Sequence, residues 1–142
     1  MGLRLGSPPP LGFNGCSLCN RSHNIVEHIA SHSNKKYPVQ SRIKCSDNYV
    51  IYSIQCKVCS KQYVGQTSNA ISKRFNSHLY DVLNNLNKPV ARHFNSRNHS
   101  ASDMILTPFE KLYIKDRTLL NVRESYWIYE KQTVIHGLNV NV

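Results

Sequence analysis

Carboxylates are what this chain has least of. Its 142 residues carry 8 Asp+Glu against 18 Lys+Arg, a formal net charge of +10 and a pI near 9.6. So basic a chain repels cationic partners and gathers polyanions, nucleic acid ahead of a membrane surface. A merely basic structural protein of the ribosomal kind shares that charge. Long apolar runs are missing too. None approaches the ~18 residues of a membrane-spanning helix. The stretch from Met1 to Pro10 lacks the unbroken apolar core of a secretion signal. Five cysteines, in two CxxC pairs and a single, therefore read as metal ligands in a reducing compartment rather than as disulfides. The length bounds the chain to one domain and a tail.

The tail reads as residues 1–46, flexible and basic, with Gly and Pro crowding residues 1–14. Within it, Cys16-Ser17-Leu18-Cys19 is followed by His23, His28 and His32. Cys16, Cys19 and Cys45 with one of these histidines would make a zinc site; the competing reading is a basic linker with unrelated cysteines. A short helix near Asn24–Ala30 is the most regular structure expected here, and Asn34-Lys35-Lys36-Tyr37-Pro38 reads as a loop.

The residues from Tyr49 to His78 hold most of the chemistry. Tyr49 to Cys56 and Gln62 to Thr67 alternate apolar and polar and are rich in Val, Ile and Tyr, so each reads as a strand. The short break between them predicts a hairpin. A two-residue turn at Lys57-Val58 pairs Cys56 with Cys59 and sets Tyr52 opposite Tyr63. A helix is predicted from about Ala70 to Asn84, capped by Ser68 or Asn69, with Ile71, Phe75, Leu79 and Val82 as its apolar stripe. Arg74 and His78 are four apart on it and flank that stripe at the rim of the core. Pro89 opens a second short helix, Pro89 to Asn95. Met104 to Leu112 reads as a third strand whose Pro108 demands an edge or a bulge. Asp116 caps a third helix from Arg117 to Tyr129, on which Glu124 shares a stripe with Leu120, Trp127 and Ile128. A carboxylate on an apolar face needs a cation, either a metal ion or an Arg.

Two phenols, a guanidinium and an imidazole gathered on one surface suit phosphodiester hydrolysis, which needs a proton acceptor, a cation beside the phosphate and usually a metal. The bland alternative is a hairpin and helix whose aromatics only pack. The stretch resembles the GIY-YIG nuclease family. Val50-Ile51-Tyr52 stands where that family has its first motif, with Val50 in place of the glycine, and Tyr63-Val64-Gly65 where it has the second. Arg74, His78, Glu124 and Asn139 follow in the family's order. Arg123-Glu124-Ser125-Tyr126-Trp127-Ile128 resembles the segment that supplies its metal-binding glutamate, and Gly137-Leu138-Asn139 its closing motif.

The resemblance implies an α/β domain over residues 47–142: a small three-stranded antiparallel sheet flanked by helices. It implies an endonuclease acting on DNA, with Tyr52 or Tyr63 deprotonating the attacking water. Arg74 would lower that phenol's pKa from its usual ~10 and stabilise charge on the phosphate. His78 would assist proton transfer or touch the phosphate, Glu124 would hold Mg²⁺ or Mn²⁺, and Asn139 would order the site.

A second constellation lies across the first. Cys56-x2-Cys59 falls inside the hairpin, and His93-x5-His99 lies beyond the first helix. Two thiolates and two imidazoles form a structural zinc set that leaves no open position for water, so the metal would clip two distant parts of one fold. Two buried cysteines and two surface histidines are the plainer reading. This CCHH insertion, with Pro89-Val90-Ala91-Arg92-His93-Phe94, resembles the endonuclease domain of Penelope-like retroelements. That implies nicking of target DNA for primed reverse transcription, a reverse transcriptase elsewhere in the full-length protein, and residence in the nucleus. Two rival readings share the fold: a catalytically inactive zinc-containing DNA-binding module, and a repair or junction nuclease.

Overall fold

The computed structural model describes residues 27–39 and 42–140. The elements run β1 (Glu27–Ile29), β2 (Lys36–Pro38), β3 (Val50–Cys56), β4 (Gln62–Thr67), α1 (Ile71–Leu83), α2 (Pro89–Phe94), a 3-10 turn (Ala101–Asp103), β5 (Met104–Lys111), α3 (Arg117–Glu130) and α4 (Thr133–His136). β3, β4 and β5 form an antiparallel sheet in the order β4-β3-β5.

The central strand is buried at nearly every position because both its faces are covered. Val50, Tyr52, Ile54 and Cys56 pack with Ile71, Phe75 and Val82 of α1 and Val90, Ala91 and Phe94 of α2. Ile51 and Val64 pack on the other side with Phe109, Leu112, and Leu120 and Trp127 of α3. A single buried side chain of this kind is worth ~1.5–3 kcal/mol, so the two layers hold the sheet from both sides. Pro108 lies on an edge strand, opposite Tyr52, and next to a register shift that leaves Phe109 as the extra residue of a bulge. Both outcomes its missing N–H allows are therefore met at once.

Three local expectations are corrected. The β3–β4 turn is not two residues long. Tyr52 faces Gly65 and Ile54 faces Tyr63, because residues 57–61 curl back on Cys56: its carbonyl accepts from Ser60 N (2.9 Å), its N donates to Lys61 O (3.0 Å), and its sulfur accepts from Val58 N (3.4 Å). The slip is by two residues, so the faces are preserved. α1 starts at Ala70 without a side-chain cap; its first amides at Ile71 and Ser72 donate instead to the carbonyls of Asp47 (2.9 Å) and Cys45 (3.0 Å). α3 does have the expected cap, Asp116 accepting from Thr118 N and Leu119 N.

The third correction concerns the tail. Residues 27–29 are a strand and not part of a helix, and they pair with residues 36–38 in a hairpin docked on the domain. His28 is buried and stacks on Phe109 (centroids 4.0 Å apart), while Tyr37 meets Trp127 edge-on at 5.1 Å. The Gln62 side chain accepts from Ser31 N (2.9 Å) and donates to Ile29 O (2.8 Å). Local composition here is polar and uninformative; aromatic packing across the chain decides the conformation. Cys16, Cys19 and His23 lie outside the described residues.

Candidate active site and metal centre

β4 is an edge strand, and the expected catalytic side chains gather around it. Tyr52 is fully buried beneath the sheet face that α1 covers. Its hydroxyl accepts from Arg74 Nε (3.0 Å) and lies 2.7 Å from His78 Nε2. Arg74 has no acceptor, so the phenol's single proton is directed to His78. Burial, then the charges of Arg74 and Lys88, push the His78 pKa down to about 3. The imidazole is therefore neutral, consistent with Nε2 as acceptor. His78 is thus inside the core and not at its rim, where the spacing placed it.

Tyr63, half-buried, approaches the same imidazole edge-on at 5.8 Å. Burial raises its pKa against the opposing pull of Arg74, and burial raises that of Tyr52 further. The expectation that Arg74 leaves a phenol below its ordinary value is thereby reversed, because loss of water outweighs one guanidinium. Gly65 lets the two rings converge: a Cβ there would meet Tyr52 Oη at 2.5 Å and Tyr63 Cε2 at 2.9 Å.

Glu124 comes from the opposite layer, on α3. Burial raises its pKa, offset by a hydrogen bond from the Gln66 side chain and by the charge of Arg74. Gln66 is itself held by Asn121, one turn before Glu124. Neither Gln66 nor Asn121 was picked out from the sequence; the signal was there, in a polar residue directly after Gly65 and another three before Glu124. Asn139 stays apart from this cluster in its bonding. Its amide accepts from Val64 N (2.8 Å) and donates to Val64 O (2.9 Å), so the C-terminal turn pairs with the open edge of β4 between the residues of the second motif. Gly137 allows that approach, since a Cβ there would collide with Gln62 O.

The second constellation also assembles. The donor atoms of Cys56, Cys59, His93 and His99 all lie within 4.8 Å of one another. His99 Nε2 is buried with no hydrogen-bond partner, while its Nδ1 lies 3.0 Å from Arg97 O. One nitrogen is thus oriented by a backbone carbonyl and the other left for a ligand, the arrangement that fixes the ring of a metal-binding histidine. Two sulfurs and two nitrogens at this spacing fit zinc.

The family model described as the GIY-YIG catalytic domain matches residues 48–139. The chain belongs to the GIY-YIG family. Two solved structures resemble the GIY-YIG domain of this chain. One, the catalytic domain of homing endonuclease I-TevI, is 24% identical, with 65% of this chain and 97% of that one covered at a TM-score of 0.56. The other, a glutamate-to-alanine mutant of the same intron endonuclease domain, is 25% identical over 64% of this chain and 91% of that one, at 0.55. No curated protein matches the chain significantly. The family therefore covers the sheet, α1 to α3 and the closing Asn139, and leaves the β1–β2 hairpin outside.

Proposed function

We propose that this GIY-YIG domain is a DNA endonuclease hydrolysing phosphodiester bonds with one divalent metal ion. The observation that carries the reading is the Arg74 guanidinium set against Tyr52 and Tyr63 with Glu124 within its field. Tyr52 is committed to Arg74 and His78 and has no access to water, so Tyr63 is the phenol that meets the attacking water. Tyr52, itself bonded to His78, holds the guanidinium through Nε, and Nη1 lies 3.4 Å from Ser77 Oγ; the guanidinium's remaining N–H groups are left for a phosphate oxygen.

Glu124 fits a hard cation. It is a half-buried carboxylate, and Mg²⁺ or Mn²⁺ is commonly held by one or two protein carboxylates and several waters. Such an ion would supply a Lewis acid for the phosphate and a second positive charge drawing protons from Tyr63 and water. In the hydrolysis, Tyr63 first gives its own proton to solvent and as phenolate takes one from the attacking water; the water oxygen bonds to phosphorus, and the bridging ester oxygen departs with the bond's electrons and is protonated by solvent. Asn139 acts on this centre only by holding β4 in place.

Cys56, Cys59, His93 and His99 would bind a structural Zn²⁺. Their CCHH pattern supports the finer reading of a Penelope-like retroelement endonuclease, nicking target DNA in the nucleus to supply a 3′ end to a reverse transcriptase. Glu124→Ala tests the reaction. Loss of cleavage with DNA retention unchanged is expected; wild-type protein that retains DNA without cutting it would instead make this an inactive binding module. Preference for branched over linear DNA would favour the junction nuclease.

A further inference from the structure

The β5–α3 loop presents the apolar pair Tyr113-Ile114 to solvent, 70% and 69% exposed. It leaves the sheet at the end where Val50 pairs with both Thr67 and Lys111, close to the Tyr52–Gly65 pair. Cations surround it. Lys111 Nζ lies over the Tyr113 ring at 5.1 Å, and Lys115 Nζ over the Tyr49 ring at 5.5 Å while donating to Asn48 Oδ1 (2.7 Å). Arg117 Nη1 donates to Ser68 Oγ at 3.0 Å. The nearby acids are already engaged. Asp47 pairs with Lys111 (3.3 Å) and accepts from Lys44 N, and Asp116 caps α3.

From this loop a polar track leads to the reaction centre. Arg117, Asn121 and Glu124 recur at helical spacing along α3. Arg117 bonds Ser68, Asn121 bonds Gln66, and Glu124 feels Gln66 and Arg74. One face of α3 therefore runs along β4 from the exposed loop to the metal-binding carboxylate.

We propose that Tyr113 and Ile114 form a wedge that enters a groove of duplex DNA and unstacks a base step beside the scissile phosphate. Lys115 and Arg117 grip the flanking backbone. The proposal rests on the nuclease reading above and names how that site takes its substrate. Exposed apolar side chains ringed by cations suit a duplex, whose charged backbone they must pass to reach apolar base faces.

The test is binding of the full chain without divalent metal, on a duplex carrying 2-aminopurine near a mapped cut. Wild type is expected to bind and to raise the fluorescence. A Tyr113→Ala/Ile114→Ala double variant should bind roughly ten- to a hundredfold more weakly and leave the fluorescence unchanged, while Tyr113→Phe/Ile114→Leu keeps both. Tyr129→Ala, also exposed on α3 but remote from the loop in sequence, controls for general loss of apolar surface. Equal binding and signal in wild type and the double alanine variant would overturn the wedge and leave the nuclease reading standing. A wild-type chain with no affinity for duplex DNA would overturn both.

Discussion

Tyr52 and Tyr63 carry the same hydroxyl on adjacent strands and are set apart by burial. Tyr52 serves Arg74 and His78, so Tyr52→Phe should cost ~1–3 kcal/mol of stability by leaving buried polar groups unpartnered, and activity with it. Tyr63→Phe should keep stability within ~1 kcal/mol and lower the cleavage rate roughly 10²–10⁴-fold. Urea unfolding beside single-turnover cleavage separates the two, and a reversed pattern would exchange their roles. Gly65→Ala should be damaging out of proportion to one methyl group, costing ~1–3 kcal/mol, because its Cβ would strike the Tyr52 hydroxyl. The sequence pointed to both phenols and to Gly65 as a motif residue. It could not rank the tyrosines, since their difference is created by α1 packing over one of them. The upward shift of both phenols was hidden for the same reason: a neighbouring Arg is visible in sequence, loss of water is not.

At the scale of elements, two devices brace the sheet. One is the Cys56-Cys59-His93-His99 set, which joins the end of β3 and the turn after it to α2 and the segment that follows α2. Cys59→Ser should remove about one zinc per chain, measured by elemental mass spectrometry, and lower stability by several kcal/mol, because metal binding free energy is folding free energy. Metal content unchanged in that variant would contradict the site. The other device is the β1–β2 hairpin, with His28 packed between Tyr37, Phe109 and Trp127. Burial and the charge of Lys131 hold its pKa down at about 3, below the ordinary 6.5, so the folded state binds fewer protons than the unfolded one. Its contribution is complete above pH ~6.5 and is lost as pH falls towards 3. His28→Phe should therefore show a smaller fall in urea midpoint between pH 7.5 and 4.5 than wild type. Helices α1 and α3 were legible from their apolar spacing, α2 from Pro89, and β5 from its apolar run. The hairpin was not, because its three-residue strands owe their shape to aromatic contacts with Phe109 and Trp127, far along the chain.

For the whole molecule, an excess of cations meets a candidate site assembled from both faces of one edge strand. Arg74, Tyr52, Tyr63 and His78 come from the α1 side, and Glu124 from α3. That order of residues along the chain was readable; their meeting across β4 depends on the sheet order, which puts β4 outermost. The most direct test is relaxation of supercoiled plasmid by the purified chain with Mg²⁺ or Mn²⁺ and after chelation, beside Glu124→Ala and Tyr63→Phe. Nicked or linear product that requires the divalent ion is expected, lost in Glu124→Ala and slowed in Tyr63→Phe, with both variants still retaining DNA. Cleavage that persists in Glu124→Ala, or a wild-type chain that binds plasmid and never cuts it under either ion, would contradict the nuclease reading.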